Sequence, residues 1–154
     1  LGTGIEACTD YIELVPKDTA GYFWRALHLA AKGEFDKSIA DYDRVIEINR
    51  QYADAYYNRA LLHYKKGDRA LAINDYTAAI DLNSKFTSAY YNRGILHSET
   101  KGFESSIGDY TKAIEIDPKH SRAYRNRSIA FHNIGNLDRA NPDHASDGRA
   151  SRKI

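Results

Sequence analysis

Apolar and polar positions alternate with helical spacing along almost the whole chain. Within residues 53–86, Tyr56, Ala60 and His63 recur at i, i+4 and i+7, and farther on Ala72, Tyr76, Ala79, Ile80 and Leu82 hold one helical face. Gly33 and Gly67 break the pattern midway through their segments, and Gly102 does so one residue later in its own. Asn49, Asn83 and the Asp117-Pro118 pair close the following stretches, and Pro16 is another stop, since proline cannot continue a helix interior. The pattern therefore predicts successive pairs of short helices and no strands.

The pairs say nearly the same thing. AYYNRALLH at 55–63 returns as AYYNRGILH at 89–97, an offset of 34 residues. GYFWRALHL at 21–29 and AYRNRSIAF at 123–131 keep the same register, and SIADYDRVIEIN, AINDYTAAIDLN and SIGDYTKAIEID align without a gap. The units predicted are 19–52, 53–86 and 87–120, preceded by a half unit in 1–18 and followed by a partial unit in 121–141. Small residues share one place (Ala26, Ala60, Gly94, Ser128) and another (Ser38, Ala72, Ser106). Tyrosines share two more: Tyr22, Tyr56, Tyr90 and Tyr124, then Tyr42, Tyr76 and Tyr110. Small places let helices approach and tyrosines fill the space beside them. No single pair can bury its apolar face, so stacking is what makes a continuous core.

This pattern resembles the tetratricopeptide repeat, whose 34-residue unit is aromatic at the fourth place, small at the eighth and twentieth, aromatic at the twenty-fourth and often proline at the thirty-second. The resemblance covers roughly residues 4–140. It implies an all-α fold, a right-handed α-solenoid of antiparallel helix pairs. Two places depart from the family: the seventh, commonly leucine, is Arg25, Arg59, Arg93 and Arg127, and the thirty-second is Arg50 and Ser84 in two units. The fourth unit breaks, because Pro142 falls inside the second helix that would start at Leu137. Helix 121–134 is then expected to close the array with Arg122, Arg125, Arg127, His132 and Asn133 on its polar face, followed by a polar tail at 142–154.

Composition changes this picture little. The 22 basic and 21 acidic residues nearly cancel, so bulk attraction to nucleic acid or anionic lipid is not indicated. The single Cys8 excludes an internal disulfide, and no apolar run is long enough to span a membrane. No leader segment is visible, which favours the cytoplasm. The chain has no methionine, even at residue 1, and so reads as an excised fragment or processed product.

Catalytic chemistry finds little support. His63 and His97 occupy one repeat position, which marks a structural echo, and no HxxxH or Cys/His cluster exists to hold a metal. Cys8 reads as a small buried hydrophobe. Asp41, Asp75 and Asp109 also recur in register and are expected to pair with Arg25, Arg59 and Arg93. No glycine-rich phosphate loop appears, and no cofactor is called for. The expected protein is not an enzyme.

Binding remains. By resemblance to the family, the first helices line a concave groove through their second, fifth, sixth, ninth, twelfth and thirteenth places. The expected groove set is Phe23, Leu27, Tyr57, Asn58, Leu61, Tyr64, Tyr91, Asn92, Ile95, Arg125, Asn126 and Ile129. Trp24 stands where the asparagines do. An asparagine amide can pair with the backbone of any extended peptide, and tyrosines add contact area at low entropy cost. The competing reading is that these side chains only pack helix on helix. The family's carboxylate clamp for chaperone tails needs Lys, Asn, Asn, Lys and Arg at set places. This chain offers Phe23, Leu27, Asn58, Ser88 and Asn92, or Tyr57, Leu61, Asn92, Arg122 and Asn126, so that mode is disfavoured. An amphipathic helix or apolar segment of a partner protein suits the groove better. Alternatives are a regulatory or assembly arm of a larger enzyme or complex and, more remotely, single-stranded RNA binding. Self-association is a further option, through the flank of the half unit with Ile5, Cys8, Tyr11 and Ile12.

Overall fold

The computed structural model describes residues 4–140. The described residues form helices and connecting turns: α1 (Gly4–Leu14), α2 (Thr19–Ala31), α3 (Phe35–Ile48), α4 (Ala53–Lys66), α5 (Arg69–Leu82), α6 (Thr87–Glu99), α7 (Phe103–Ile116) and α8 (Ser121–Asn133). Residues 137–140 are helical as well, packed on α8 where the Ser128 hydroxyl donates to the Ala140 carbonyl at 2.8 Å. The helical pairing thus extends beyond α8, the helix expected to close the array. The polar tail predicted at 142–154 lies outside the described residues.

The chain divides between Asn83 and Ser84 into two compact units. The first holds α1 to α5. Its apolar centre joins Ala26, Tyr42, Val45, Ala55 and Leu62, with Phe23, Leu27 and Tyr52 against them. The second holds α6 to α8 and the start of the following helix. It packs Tyr110, Ala113, Ile114 and Ala123 with Tyr90, Tyr91, Ile95 and Tyr124 around them. Burying one aromatic ring in such a centre contributes on the order of 2–3 kcal/mol. Tyr42, Tyr76 and Tyr110 are each 1% exposed, so the twenty-fourth place is the deepest large side chain of every pair. Burial pushes the Tyr42 and Tyr110 hydroxyls above their ordinary range.

Small residues do what the sequence assigns them. Ser38 donates to the Ala26 carbonyl at 2.7 Å, a bond possible only because both places are small. A Cβ on Gly94 would meet the Tyr110 ring at 2.8 Å.

The recurring arginines and aspartates pair as expected. Arg25 grips Asp41 through Nε and Nη2 at 2.8 and 2.7 Å, Arg59 grips Asp75 at 2.8 and 2.7 Å, and Arg93 grips Asp109 at 2.9 and 2.7 Å. The three carboxylates are nearly buried, with side chains 7–9% exposed. The remaining guanidinium nitrogen reaches back to the preceding second helix: Arg25 to Thr9, Arg59 to Asp43, Arg127 to Thr111. Each arginine also lies over the tyrosine three places before it, at 5.5–5.8 Å from the ring centre. The hydrogen bonds that Arg59 donates to Asp75, aided by that carboxylate's charge and by Asp43, hold Arg59 above its already high range against the opposing effect of burial.

The turn inside each pair differs from expectation in one unit. The left-handed residue is Gly33, Gly67 and Gly135 at φ +80°, +88° and +75°, but in the third unit it is Lys101 at +61°. Gly102 instead takes the next place and donates its N–H to the His97 carbonyl at 2.8 Å, as Asp68 does to His63 at 2.9 Å. The closing bond of the turn fixes the register, so the glycine arrives one residue late and lysine bears the strain.

Two outcomes follow. Asp75→Asn is expected to cost about 2 kcal/mol in denaturant unfolding, because it leaves Arg59 half-buried beside a neutral amide; an unchanged midpoint would show that the fork contributes nothing. Lys101→Gly is expected to stabilise by about 0.5–1 kcal/mol in the same measurement, since glycine adopts this turn without strain.

Candidate binding face

The first helix of each pair, α2, α4, α6 or α8, carries the expected groove residues. They sit on the side not consumed by the arginine fork and the small eighth place. All twelve are accessible to some degree. Arg125 and Ile129 are exposed, Ile129 at 47%, and the other ten are half-buried.

In the first unit Phe23 and Leu27 lie on α2, and Tyr57, Asn58, Leu61 and Tyr64 on α4. Phe23 is held by rings on three sides, with Tyr42 at 5.7 Å, Tyr52 at 5.2 Å and Trp24 at 6.0 Å between centres. Tyr57 stacks obliquely on Tyr76 at 5.8 Å. Both rings therefore support the helix pair with one edge and face outward with the other. Asn58 donates to the Asp54 carbonyl one turn back at 2.7 Å. That bond uses one of its two N–H groups and leaves the amide oxygen as an acceptor.

In the second unit Tyr91, Asn92 and Ile95 lie on α6, and Arg125, Asn126 and Ile129 on α8. Here the structure brings expected residues into direct contact: the Asn126 amide donates to the Tyr91 hydroxyl at 3.2 Å. Tyr91 also rests on the His120 ring at 4.7 Å and on Tyr110 at 5.9 Å. His120 caps α8, with Nδ1 accepting from the Ala123 N–H at 3.3 Å. Sequence reasoning did not assign His120, or Tyr52 at the corresponding cap of α4. The signal available was position, since both stand immediately before a first helix.

The histidines behave as the echo the sequence suggested. His63 and His97 each bring Nε2 to 3.8 Å from the carboxylate their arginine grips, Asp75 and Asp109. Among the described residues no group of three His, Cys, Asp or Glu side chains could hold a metal ion. No helix among them is long and apolar enough to cross a membrane. Cys8 is half-buried rather than fully enclosed.

Comparison with known proteins agrees with this geometry. Family models described as tetratricopeptide repeat match residues 53–86, 87–120 and 109–140, and one described as TPR repeat matches 26–67. No curated protein matches the chain. Among solved structures, a crystal structure of MamA superposes with a TM-score of 0.87 at 22% identity, over 93% of this chain and 84% of that one. MamA from Desulfovibrio magneticus RS-1 gives 0.84 at 16% identity, over 97% and 86%. The first TPR of Spaghetti (RPAP3), solved with the HSP90 peptide SRMEEVD, gives 0.72 at 20% identity, over 76% and 93%. Repeat period, helix pairing and superposition converge, and the chain belongs to the tetratricopeptide repeat family.

Proposed function

We propose that this protein is a non-catalytic interaction scaffold whose first-helix faces hold a peptide or helix of a partner protein. The observation that carries the reading is the aliphatic row at the ninth place. Leu27, Leu61, Ile95 and Ile129 recur on the first helices, yet none is fully buried, and Ile129 is 47% exposed. Leu27 and Ile95 rest on the apolar centres with one side, yet the row stays accessible on the other, as a binding surface requires. Half-buried tyrosines beside this row supply rigid contact area, and the Asn58 oxygen offers an acceptor to a bound backbone.

The peptide complex of the RPAP3 repeat supports the idea that this fold can hold a chain segment, but the chemistry differs here. Phe23 and Tyr57 stand where a clamp for an acidic tail needs lysine, and Leu27 and Leu61 stand where it needs asparagine. The partner expected is an apolar or amphipathic segment, with aliphatic side chains seated on the ninth-place residues of one compact unit, Leu27 and Leu61 or Ile95 and Ile129.

The test is capture from lysate of the source cell, comparing the chain with a Leu61→Glu/Ile129→Glu variant shown by circular dichroism to be folded. Proteins retained by the first and lost by the second support the reading; identical capture overturns it. The peptide SRMEEVD is expected to bind at least about tenfold more weakly than an apolar helical segment recovered in this way, a difference of about 1.4 kcal/mol in titration.

A further inference from the structure

The residue just before α4, α6 and α8 is aromatic each time: Tyr52, Phe86 and His120 share the thirty-fourth place of the repeat. In the first compact unit the Tyr52 ring rests on Phe23 at 5.2 Å, and in the second the His120 ring rests on Tyr91 at 4.7 Å. One contact therefore recurs, the thirty-fourth place against the fifth, and each time it braces a residue of the candidate binding face. Of the three rings at this place, only the imidazole gains a charge near neutral pH.

His120 also caps α8, which Tyr52 and Phe86 do not do for α4 and α6. Its Nδ1 accepts from the Ala123 N–H at 3.3 Å, an N–H shared with the His120 carbonyl at 2.9 Å. The ring can accept there only while Nδ1 is unprotonated. A second ring proton sets N–H against N–H at the positive end of a helix. The neighbouring charges do not offset it. The first turn of α8 holds no acidic residue, and the exposed cations Lys119 and Arg122 flank the ring in sequence. Asp117 is the carboxylate of the turn, and its Oδ1 already accepts from the Lys119 N–H at 3.0 Å. The other titratable groups around the ring are phenols, Tyr91 on α6, Tyr124 on α8 and, behind Tyr91, Tyr110 on α7, whose hydroxyl burial holds in its neutral form.

We propose that His120 is a proton-sensitive brace of the binding face. Neutral, it holds the Tyr91 ring against the start of α8. Charged, it turns out to solvent and leaves Tyr91 held only by Tyr110 and by the Asn126 amide at its hydroxyl. A segment seated on the second compact unit is then kept near neutral pH and let go in mild acid. That consequence rests on the function proposed above, whereas the movement of the ring does not.

The test follows the chain, labelled with carbon-13 in its histidine and tyrosine rings, by NMR from about pH 7.5 to about pH 5.5, the span in which an ordinary histidine charges. The nuclear Overhauser contact between the His120 and Tyr91 rings is expected at the start and lost at the end, with the Ala123 amide proton shifting alongside. His120→Phe supplies the ring that Phe86 has at this place and gains no proton, so its contact to Tyr91 is expected to persist throughout. His120→Tyr, after Tyr52, takes its role should that variant not fold. A contact that survives charging of His120, by turnover of the ring or by attraction of the cation to Tyr91, overturns the proposal. So does equal loss in His120→Phe, which places the acid effect elsewhere, or an imidazole that does not titrate in this span. Segments captured at the higher pH are expected to be released at pH 5.5 at least about threefold more from the chain than from His120→Phe, and equal release overturns the link to binding. Identical capture by Leu61→Glu/Ile129→Glu overturns the first-helix reading alone, because the ring contact is read without a partner.

Discussion

A guanidinium cannot lie between two helices and under a tyrosine ring without acceptors for its donors. That requirement organises this protein. At the seventh place, where the family commonly has leucine, each arginine is half-buried, and the Asp41, Asp75 and Asp109 carboxylates meet it in two-pronged bonds of 2.7–2.9 Å. Charge-assisted pairs of this geometry are directional as well as strong. A leucine at the same place would tolerate sliding or rotation of one helix on the other. The fork tolerates neither, so it sets the register of each pair, and the third nitrogen ties that pair to the second helix before it where Arg25 meets Thr9 and Arg59 meets Asp43.

The rest of the packing follows from that register. With the fork in place, the eighth place faces the twentieth and twenty-fourth, and there is room for only one large group among them. Tyrosine takes it at Tyr42, Tyr76 and Tyr110, while Ala26, Ser38 and Gly94 give way. Polar atoms introduced at these tight places are satisfied locally, as Ser38 is by the Ala26 carbonyl and Ser128 by Ala140. Charge near the core therefore imposes specificity, while the apolar area around it supplies most of the favourable free energy.

The same geometry accounts for the surface left over. A first helix uses its seventh and eighth places against its partner, so the fifth and ninth turn toward the edge of that contact and remain half-buried, or exposed in α8. Phe23, Tyr57 and Tyr91 pack and stay accessible at once: one ring edge rests on Tyr42, Tyr76 or Tyr110, and the other is half-buried. The two readings set against each other for these side chains, packing and binding, are not exclusive. A ring braced on one side is already ordered, so a ligand meeting its other side loses little further entropy.

Much of this was legible in the sequence because it repeats. A gapless period of 34 means that each place has the same neighbours in every unit, so recurring arginines and aspartates sixteen residues apart had to mark one contact. Helix pairing, the buried tyrosines and the family followed from that regularity alone. What only the tertiary structure decided is where the regularity is interrupted. The late glycine suggested a shifted break in the third unit, but the hydrogen bond that closes the turn held the register and placed Lys101 in the left-handed position. Asn58 and Asn126 share a repeat place, yet one bonds to its own helix and the other to Tyr91, because an amide takes whichever acceptor its surroundings bring near. Cys8 reads in the sequence as a small buried hydrophobe, and the structure leaves it half-buried. Burial is a property of what lies opposite, and that is decided by packing and not by the chain's own pattern.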